Sequence, residues 1–312
     1  MSPTNYIVFD MEWNQPPCAA AIKSRNGIEL HGEIIQIGAV KMDKNFNITD
    51  TVKIDVRPSA YKKIAKRIES ITGISTESAR LGRPFDEAAD KFRRWCGEDF
   101  CFLTWGSDDV KVLHDNLVFF GQPCTWIPEN NFDLQIIFDY LTQKKGRQFS
   151  LDFALEYYAI EVGEKRHDAY NDASYTALVC REMKPFKCIE HYRDVLIEKV
   201  ILQQEQEPAE DYIRKVQVLD SLNLLKGYKI ACEERVECPE CKRKAALKKR
   251  YRKSDSSYAF MYSCSKHGDF VSLLRMRPIE SYHLTRMVRN TYRPGDAENV
   301  KAGLKAKKWR AV

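Results

Sequence analysis

An apolar run that ends in two alternating carboxylates constrains this chain more than any other feature. Tyr6-Ile7-Val8-Phe9 has the length and character of a short buried strand, and Asp10-Met11-Glu12-Trp13-Asn14 follows it directly. Alternate side chains of an extended backbone share a face. Asp10 and Glu12 therefore project together from the end of a core strand. Two neighbouring carboxylates repel each other unless a cation neutralises them. The fold has to bring a divalent ion to this strand end, with further carboxylates to complete its shell, or leave the pair in a solvated turn.

The following segments supply candidates. Glu33-Ile34-Ile35-Gln36-Ile37-Gly38-Ala39-Val40 is a nearly continuous apolar run, the pattern of a central strand, in which Gly38 marks a close approach by neighbouring backbone. Asp50 to Val56 alternates as a third strand. Helix starts follow: Ser75 with Ser78 behind it, and Pro84-Phe85-Asp86-Glu87 opening a helix through Trp95. Phe100-Cys101-Phe102-Leu103-Thr104-Trp105 is a fourth strand ended by Gly106, and Ser107-Asp108-Asp109 opens the next helix, with Asp108 as its expected N-cap. Asn131-Phe132-Asp133-Leu134 is a short fifth strand, and Ser150 starts a later helix. Three strands in a meander, then strands alternating with helices, predict an α/β fold with a mixed sheet. His167 and Asp172, with four residues between them, lie at the entry of a helix running to Met183.

Asp10, Glu12, one aspartate of the 108–109 pair, His167 and Asp172 form a set of four carboxylates and one histidine. Oxygen-rich sets suit hard divalent cations. Two such ions together activate water against a phosphodiester, and a histidine titrating near neutrality is suited to take the proton.

These motifs resemble the DEDDh (DnaQ-like) 3′→5′ exonucleases, a family of ribonuclease H-like fold. The resemblance rests on Phe9-Asp10-Met11-Glu12, Trp105-Gly106-Ser107-Asp108-Asp109 and His167…Asp172, supported by Glu33–Val40, Ile71-Thr72-Gly73-Ile74 and Ser150-Leu151, and covers about residues 5–185. It implies a mixed five-stranded sheet flanked by helices, and two Mg²⁺ or Mn²⁺ ions held by Asp10, Glu12, Asp109 and Asp172. Asp109 is preferred to Asp108 as the middle ligand. His167 would be the general base, and 5′-mononucleotides would leave from a free 3′ end. The Trp-Gly form of the middle motif is more like the RNA-trimming branch, which favours RNA slightly over DNA. Where the family often has Thr, this chain has Trp13, with two readings open: a base-stacking residue or a core residue.

Charge divides the chain. Of the 50 basic and 44 acidic residues, 19 basic but only 7 acidic ones fall in 236–312. The basic part suits a polyanion. We expect an exonuclease domain (1–187), a helical bridge (188–235, with helices His191–Gln206 and Pro208–Lys226), a zinc-ribbon-like domain (236–278) and a basic tail (279–312), partly helical over 281–292. The helical bridge is also a candidate surface for a protein partner.

Cys238-Pro239-Glu240-Cys241 and Cys264-Ser265-Lys266-His267 are two short-spaced ligand pairs around a hairpin-sized insert, resembling a zinc ribbon with Cys₃His ligation of one Zn²⁺. Ala245–Arg252 and Tyr258–Ser263 are its expected strands. Family members more often end in a second Cys pair than in a histidine such as His267. Lys248, Lys249, Arg250, Tyr251, Arg252 and Lys253 in the insert, with Arg286 and Arg289 beyond it, are candidate contacts to nucleic acid, as is Trp13. Lys301, Lys305, Lys307 and Lys308 extend the basic theme.

No apolar run approaches the ~18 residues of a membrane span, and, with Met1 so near the first strand, no leader is expected. The expected compartment is the cytoplasm. The leading reading is an exonuclease acting on single-stranded RNA or DNA. The alternatives are a proofreading or repair subunit acting on DNA, or a catalytically idle scaffold that binds nucleic acid.

Overall fold

The computed structural model describes residues 3–15, 21–24, 27–143, 149–163, 166–202, 212–294 and 310–311. The chain divides into two compact units, 1–195 and 196–312.

In the first unit, β1 (Asn5–Asn14) is followed by the short β2 (Ile22–Lys23) and β3 (Glu29–Leu30), then β4 (Glu33–Asp43) and β5 (Ile48–Asp55). Three helices follow: α1 (Lys66–Thr72), α2 (Thr76–Ala79) and α3 (Phe85–Cys96). Next come β6 (Phe100–Thr104), α4 (Asp108–Phe119), β7 (Asn131–Asp133), α5 (Leu134–Leu141), α6 (Leu151–Tyr157), α7 (Ala169–Met183) and α8 (Phe186–Glu190). Helix α9 (Tyr192–Leu202) contains the boundary between the units. The main sheet has the order β5-β4-β1-β6-β7. β4 is antiparallel to β1 and β5, and β6 is parallel to β1 and β7. This is the expected mixed five-stranded sheet flanked by helices.

The sheet forms where the apolar runs predicted it. Ile7, Phe9, Ile37, Ala39 and Phe102 are fully enclosed and pack with Phe92 of α3 and Leu113 and Leu117 of α4. Ser75 and Ser78 form a reciprocal capping box at α2. Asp108 is not the N-cap of α4. Ser107 occupies that position and Asp108 is the first helical residue.

One contact sets the place of α7. A Cβ on Gly38 would lie 2.1 Å from the Ala169 carbonyl carbon and from the Tyr170 nitrogen. Helix α7 therefore begins in backbone contact with β4. Gln36, two residues before, accepts the Ala169 N–H at 2.9 Å through Oε1 and donates through Nε2 to Asp55 Oδ1 at 2.9 Å. Gly38 is also the cross-strand partner of Asp10, so this contact brings the start of α7 to the strand end that carries the carboxylates.

The second unit differs from expectation. Residues 212–219 form β8 (Tyr212–Leu219), not the second helix of a bridge, and α10 (Leu224–Glu233) follows. Tyr-Ile-Arg-Lys-Val-Gln-Val-Leu is rich in β-branched and aromatic residues, and β8 pairs along its length with β12 (Leu284–Tyr292). β12 in turn replaces the expected helix over 281–292. Between them lie β9 (Ala246–Ser254), β10 (Ser257–Cys264) and β11 (Gly268–Ile279), and β13 (Arg310–Ala311) completes an order β13-β9-β10-β11-β12-β8. The expected ribbon hairpin is present as β9–β10, within a six-stranded sheet. A helical partner surface across 188–235 is thus replaced over 212–219 by an edge strand. Gly227, directly after the expected helix Pro208–Lys226, does not end a helix. It lies inside α10, and a Cβ there would come 2.8 Å from Met276 Sδ, so α10 packs close on this sheet. Residues 203–211 and the tail lysines 301, 305, 307 and 308 lie outside the described residues.

Gly38→Ala is expected to destabilise the chain by roughly 2–4 kcal/mol, because helix backbone, not a flexible side chain, would have to move. Denaturant unfolding of the variant beside wild type measures it.

Candidate active site and cysteine–histidine centre

Four segments of the first unit deliver the site residues. β1 carries Asp10 and Glu12, α4 carries Asp109, α7 carries Asp172, and the loop before α7 carries His167. Asp109 is buried while Asp108 is exposed. Asp109 Oδ1 accepts the Met11 N–H at 2.9 Å, tying α4 to β1 between the two strand carboxylates. Asn116, two turns further along the same face of α4, accepts the Ile34 N–H at 3.1 Å and donates to the Gly32 carbonyl at 2.9 Å, which holds the same helix against the start of β4. A register shift between Glu12 and Trp13 breaks the β1–β4 register at the site, and pairing resumes with Trp13 opposite Ile34 and Asn14 opposite Glu33.

Glu12, His167 and Asp172 each offer a ligand atom within 4.8 Å of the others. Asp10 lies close enough to Asp109, Asp172 and Glu12 that all three raise its proton affinity after burial, the largest cause, has done so; its carboxyl is held well above the usual range. Burial, then Asp172, Asp109 and Asp168, lifts Glu12 to about 7. Burial lifts Asp109 to about 7 against the opposing Met11 N–H bond. Burial also raises Asp172, opposed first by Arg166. Crowded, partly desolvated oxygen donors of this kind fit divalent cations with hard-oxygen preference.

His167 is exposed, with φ +62°, a left-handed backbone uncommon outside glycine. Its N–H donates to Asp172 Oδ2 at 3.1 Å. Asp168 caps α7, accepting from the Tyr170 and Asn171 N–H groups, and pairs with Lys53. Arg166 donates through Nη1 to Asp172 Oδ1 at 2.7 Å. Residue patterning missed Gln36, Asn116 and Arg166. Only Arg166 carried a signal, as the second of two consecutive basic residues, Lys165-Arg166, directly before the histidine.

Trp13 is half-buried against the main core, and its ring closes over Gly32. The core reading of Trp13 matches this placement.

In the second unit, Cys238 and Cys264 are buried and Cys241 and His267 half-buried, with one ligand atom from each within 4.8 Å of the rest. Cys238 Sγ lies 3.6 Å from His267 Nδ1, Cys241 Sγ 3.7 Å from Cys264 Sγ, and Cys264 Sγ 3.9 Å from His267 Nδ1. Tetrahedral zinc with Zn–S of about 2.3 Å and Zn–N of about 2.0–2.1 Å separates neighbouring ligand atoms by about 3.5–3.8 Å. The donor set and spacing fit that ion. N–H groups of Lys266 and His267 hold the Cys264 thiol down to about 6, toward the thiolate that metals bind.

Of the candidate nucleic-acid contacts, Lys248, Lys249, Arg250 and Lys253 are exposed on β9, Tyr251 is half-buried, and Arg252 pairs with Asp255. Arg289 is corrected to an internal residue. It is 4% exposed, 3.1 Å from Glu234 Oε2, and donates to the Ala231 carbonyl at 2.7 Å and the Tyr262 hydroxyl at 3.2 Å. Its neighbour Arg286 alternates to the other face of β12.

Comparison with known proteins agrees with this geometry. Residues 17–180 match the family described as Exonuclease (RNase_T), and the chain belongs to that family. It is 27% identical over 120 residues to the probable 3′-5′ exonuclease KapD of Bacillus subtilis (strain 168), a match covering 38% of this chain and 56% of that protein's length. The fold is shared with the nuclease domain of 3′hExo, a DEDDh family member bound to rAMP (17% identity, TM-score 0.51, 60% of this chain and 94% of that one). It is shared too with a 3′-exonuclease described in 3′-end-specific recognition of a histone mRNA stem-loop (16% identity, TM-score 0.51, 60% and 84%). The fold is thus that of the ribonuclease H-like DEDDh exonucleases. Among the described residues, no helix is long and apolar enough to cross a membrane.

The raised carboxyls set a pH dependence. Their folded-state pKa values exceed the unfolded value near 4, so the folded state binds more protons between about pH 4 and 7, and stability falls as pH rises through that window. Metal-free protein is expected to melt at lower temperature at about pH 8 than at about pH 5.5, and added Mn²⁺ to raise the midpoint more at the higher pH. Thermal melts at both pH values, with and without Mn²⁺, measure this.

Proposed function

We propose that the chain is a metal-dependent 3′→5′ exonuclease that releases 5′-mononucleotides from single-stranded nucleic acid, with RNA favoured slightly over DNA. The observation that carries the proposal is the convergence of Glu12, His167 and Asp172 ligand atoms within 4.8 Å, with the half-buried Asp10 and the buried Asp109 beside them. Asp10, Glu12, Asp109 and Asp172 would hold two Mg²⁺ or Mn²⁺ ions. When bound, such ions lower the pKa of water and offset charge on the phosphodiester.

The chain's own groups do the rest. His167 accepts the proton of the attacking water, and its exposed ring passes that proton to solvent. The N–H bond from His167 to Asp172 keeps base and carboxylate in one geometry. The Met11–Asp109 bond keeps α4 against the strand that carries Asp10 and Glu12. Preference for RNA is supported by the Trp105-Gly106 form of the middle motif.

In the second unit, Cys238, Cys241, Cys264 and His267 would hold one Zn²⁺ as a structural ion, stabilising the turn regions at one end of the sheet. We assign the nucleic-acid contact of this unit to the exposed β9 residues Lys248, Lys249, Arg250 and Lys253, with Tyr251 and Arg252 beside them, and to the sheet face opposite α10. On that face Arg277 pairs directly with Arg286, Arg275 lies opposite Val288, Arg214 opposite Asn290, and Tyr212 opposite Tyr292. Like charges placed opposite each other destabilise a sheet, and none of Arg275, Arg277 or Arg286 has a carboxylate partner among the described residues. A phosphate backbone supplies the missing anions, and tyrosine rings can stack on bases.

The test uses 5′-labelled single-stranded RNA and the matching DNA with Mg²⁺ or Mn²⁺. A ladder shortening from the 3′ end is expected, abolished by EDTA and slowed by Asp10→Ala roughly 10³-fold or more. Binding without degradation by the wild-type chain would leave the scaffold reading instead. In the Asp10→Ala background, the double substitution Arg275→Ala, Arg277→Ala is expected to reduce the slope of log affinity against log salt by about 1.4, two single-strand phosphate contacts. An unchanged slope would remove this face from the interface.

A further inference from the structure

Arg166 is the charged group of the site that neither base nor carboxylate chemistry uses. Its guanidinium is forked between two helices. Nε donates to Asp152 Oδ1 of α6 at 2.7 Å and Nη1 to Asp172 Oδ1 of α7 at 2.7 Å. The guanidinium carbon sits 5.7 Å from the Tyr175 ring centroid, a cation–π contact one turn along α7 from Asp172. The arginine side chain is 21% exposed and that of Asp172 8%, whereas Asp152 is 68% exposed. The bond to Asp172 is therefore the shielded one, and the bond to Asp152 an outer tether.

The position of this bond matters. Asp172 Oδ1 takes the arginine and Asp172 Oδ2 takes the His167 N–H, so both oxygens are engaged by consecutive residues of one loop. Asp172 is also one of the three residues whose ligand atoms converge. A divalent ion placed among Glu12, His167 and Asp172 meets an oxygen already bound to a cation, with a full positive charge directly behind it. Arg166 also works against the effect of Asp109, Asp172 and Glu12 on Asp10.

We propose that Arg166 is a resident counter-cation of the acidic cluster: it holds the loop and α7 in place without metal and competes with a divalent ion for Asp172, so that the site binds such ions more weakly than its carboxylates alone would. This rests on the reading that the cluster holds divalent ions. Arg166 is thus a positioning residue with an electrostatic cost to metal affinity. An arginine present only to support the fold would have the opposite effect on removal, since loosening Asp172 would weaken the site.

The experiment is a titration of the full chain with Mn²⁺, following free Mn²⁺ by its electron paramagnetic resonance signal, for wild type, Arg166→Gln and Arg166→Lys. Arg166→Gln is expected to bind Mn²⁺ at least roughly tenfold more tightly, because a unit charge beside the ion is gone. Its metal-free form is expected to melt below wild type. Arg166→Lys keeps the charge but lacks the fork that reaches both aspartates, and is expected to bind about threefold more tightly than wild type. Lysine also guards the test against a glutamine variant that does not fold without metal. If wild type binds Mn²⁺ and the folded variants bind it equally or more weakly, the counter-cation proposal is overturned and the metal reading stands. If neither wild type nor variants bind Mn²⁺, the metal reading fails and this proposal fails with it.

Discussion

The backbone contact between Gly38 and the first turn of α7 is what the site depends on. A strand carrying Asp10 and Glu12 at its end is common to many sheets. Here the cross-strand neighbour of Asp10 has no side chain, and the helix N-terminus descends into that space. Gln36 completes the contact by accepting the Ala169 N–H, one of the donors that a helix start leaves unpaired. Asp172 lies one turn from Asp168, the cap. Two backbone features, a missing Cβ and one hydrogen bond, therefore decide whether carboxylates 160 residues apart in the chain share one site.

That proximity has an electrostatic cost. Asp10, Glu12, Asp109 and Asp172 are crowded and largely shielded from water, and each has its ionised form disfavoured by burial. A purely structural site would be expected to shed such groups, because buried like charges destabilise a fold. The chain instead offsets them locally, with the Met11 N–H on Asp109 and the Arg166 guanidinium on Asp172. These are partial compensations for a charge that divalent cations would neutralise, and a divalent cofactor is what membership of the exonuclease family implies.

Much of this was legible in the sequence because the signals were local. Apolar runs located β1, β4 and β6, Ser75 with Ser78 located a helix start, and Gly38 announced a close approach. Asp109 was preferred to Asp108 from the resemblance, and it is Asp109 that is buried and accepts the Met11 N–H. The second unit was less legible. Residues 212–219 and 284–292 mix basic, polar and apolar residues without strict alternation, a pattern that supports either an amphipathic helix or an edge-region strand, and only their mutual pairing decides for the strand. Arg289 illustrates the same limit. It and Arg286 are indistinguishable by composition, yet strand alternation sends one to Glu234 and Tyr262 under α10 and the other to the opposite face. The cysteine–histidine set was recoverable because chelating pairs are short-range by nature, and the hairpin between them only has to close.

Diffraction from crystals of the full chain grown with Mn²⁺, collected above the manganese absorption edge, tests the central claim most directly. The account predicts two anomalous peaks at the end of β1, among the carboxylates of Asp10, Glu12, Asp109 and Asp172 that would hold the ions. Anomalous density absent from this cluster, in crystals that hold Mn²⁺ elsewhere, would contradict it.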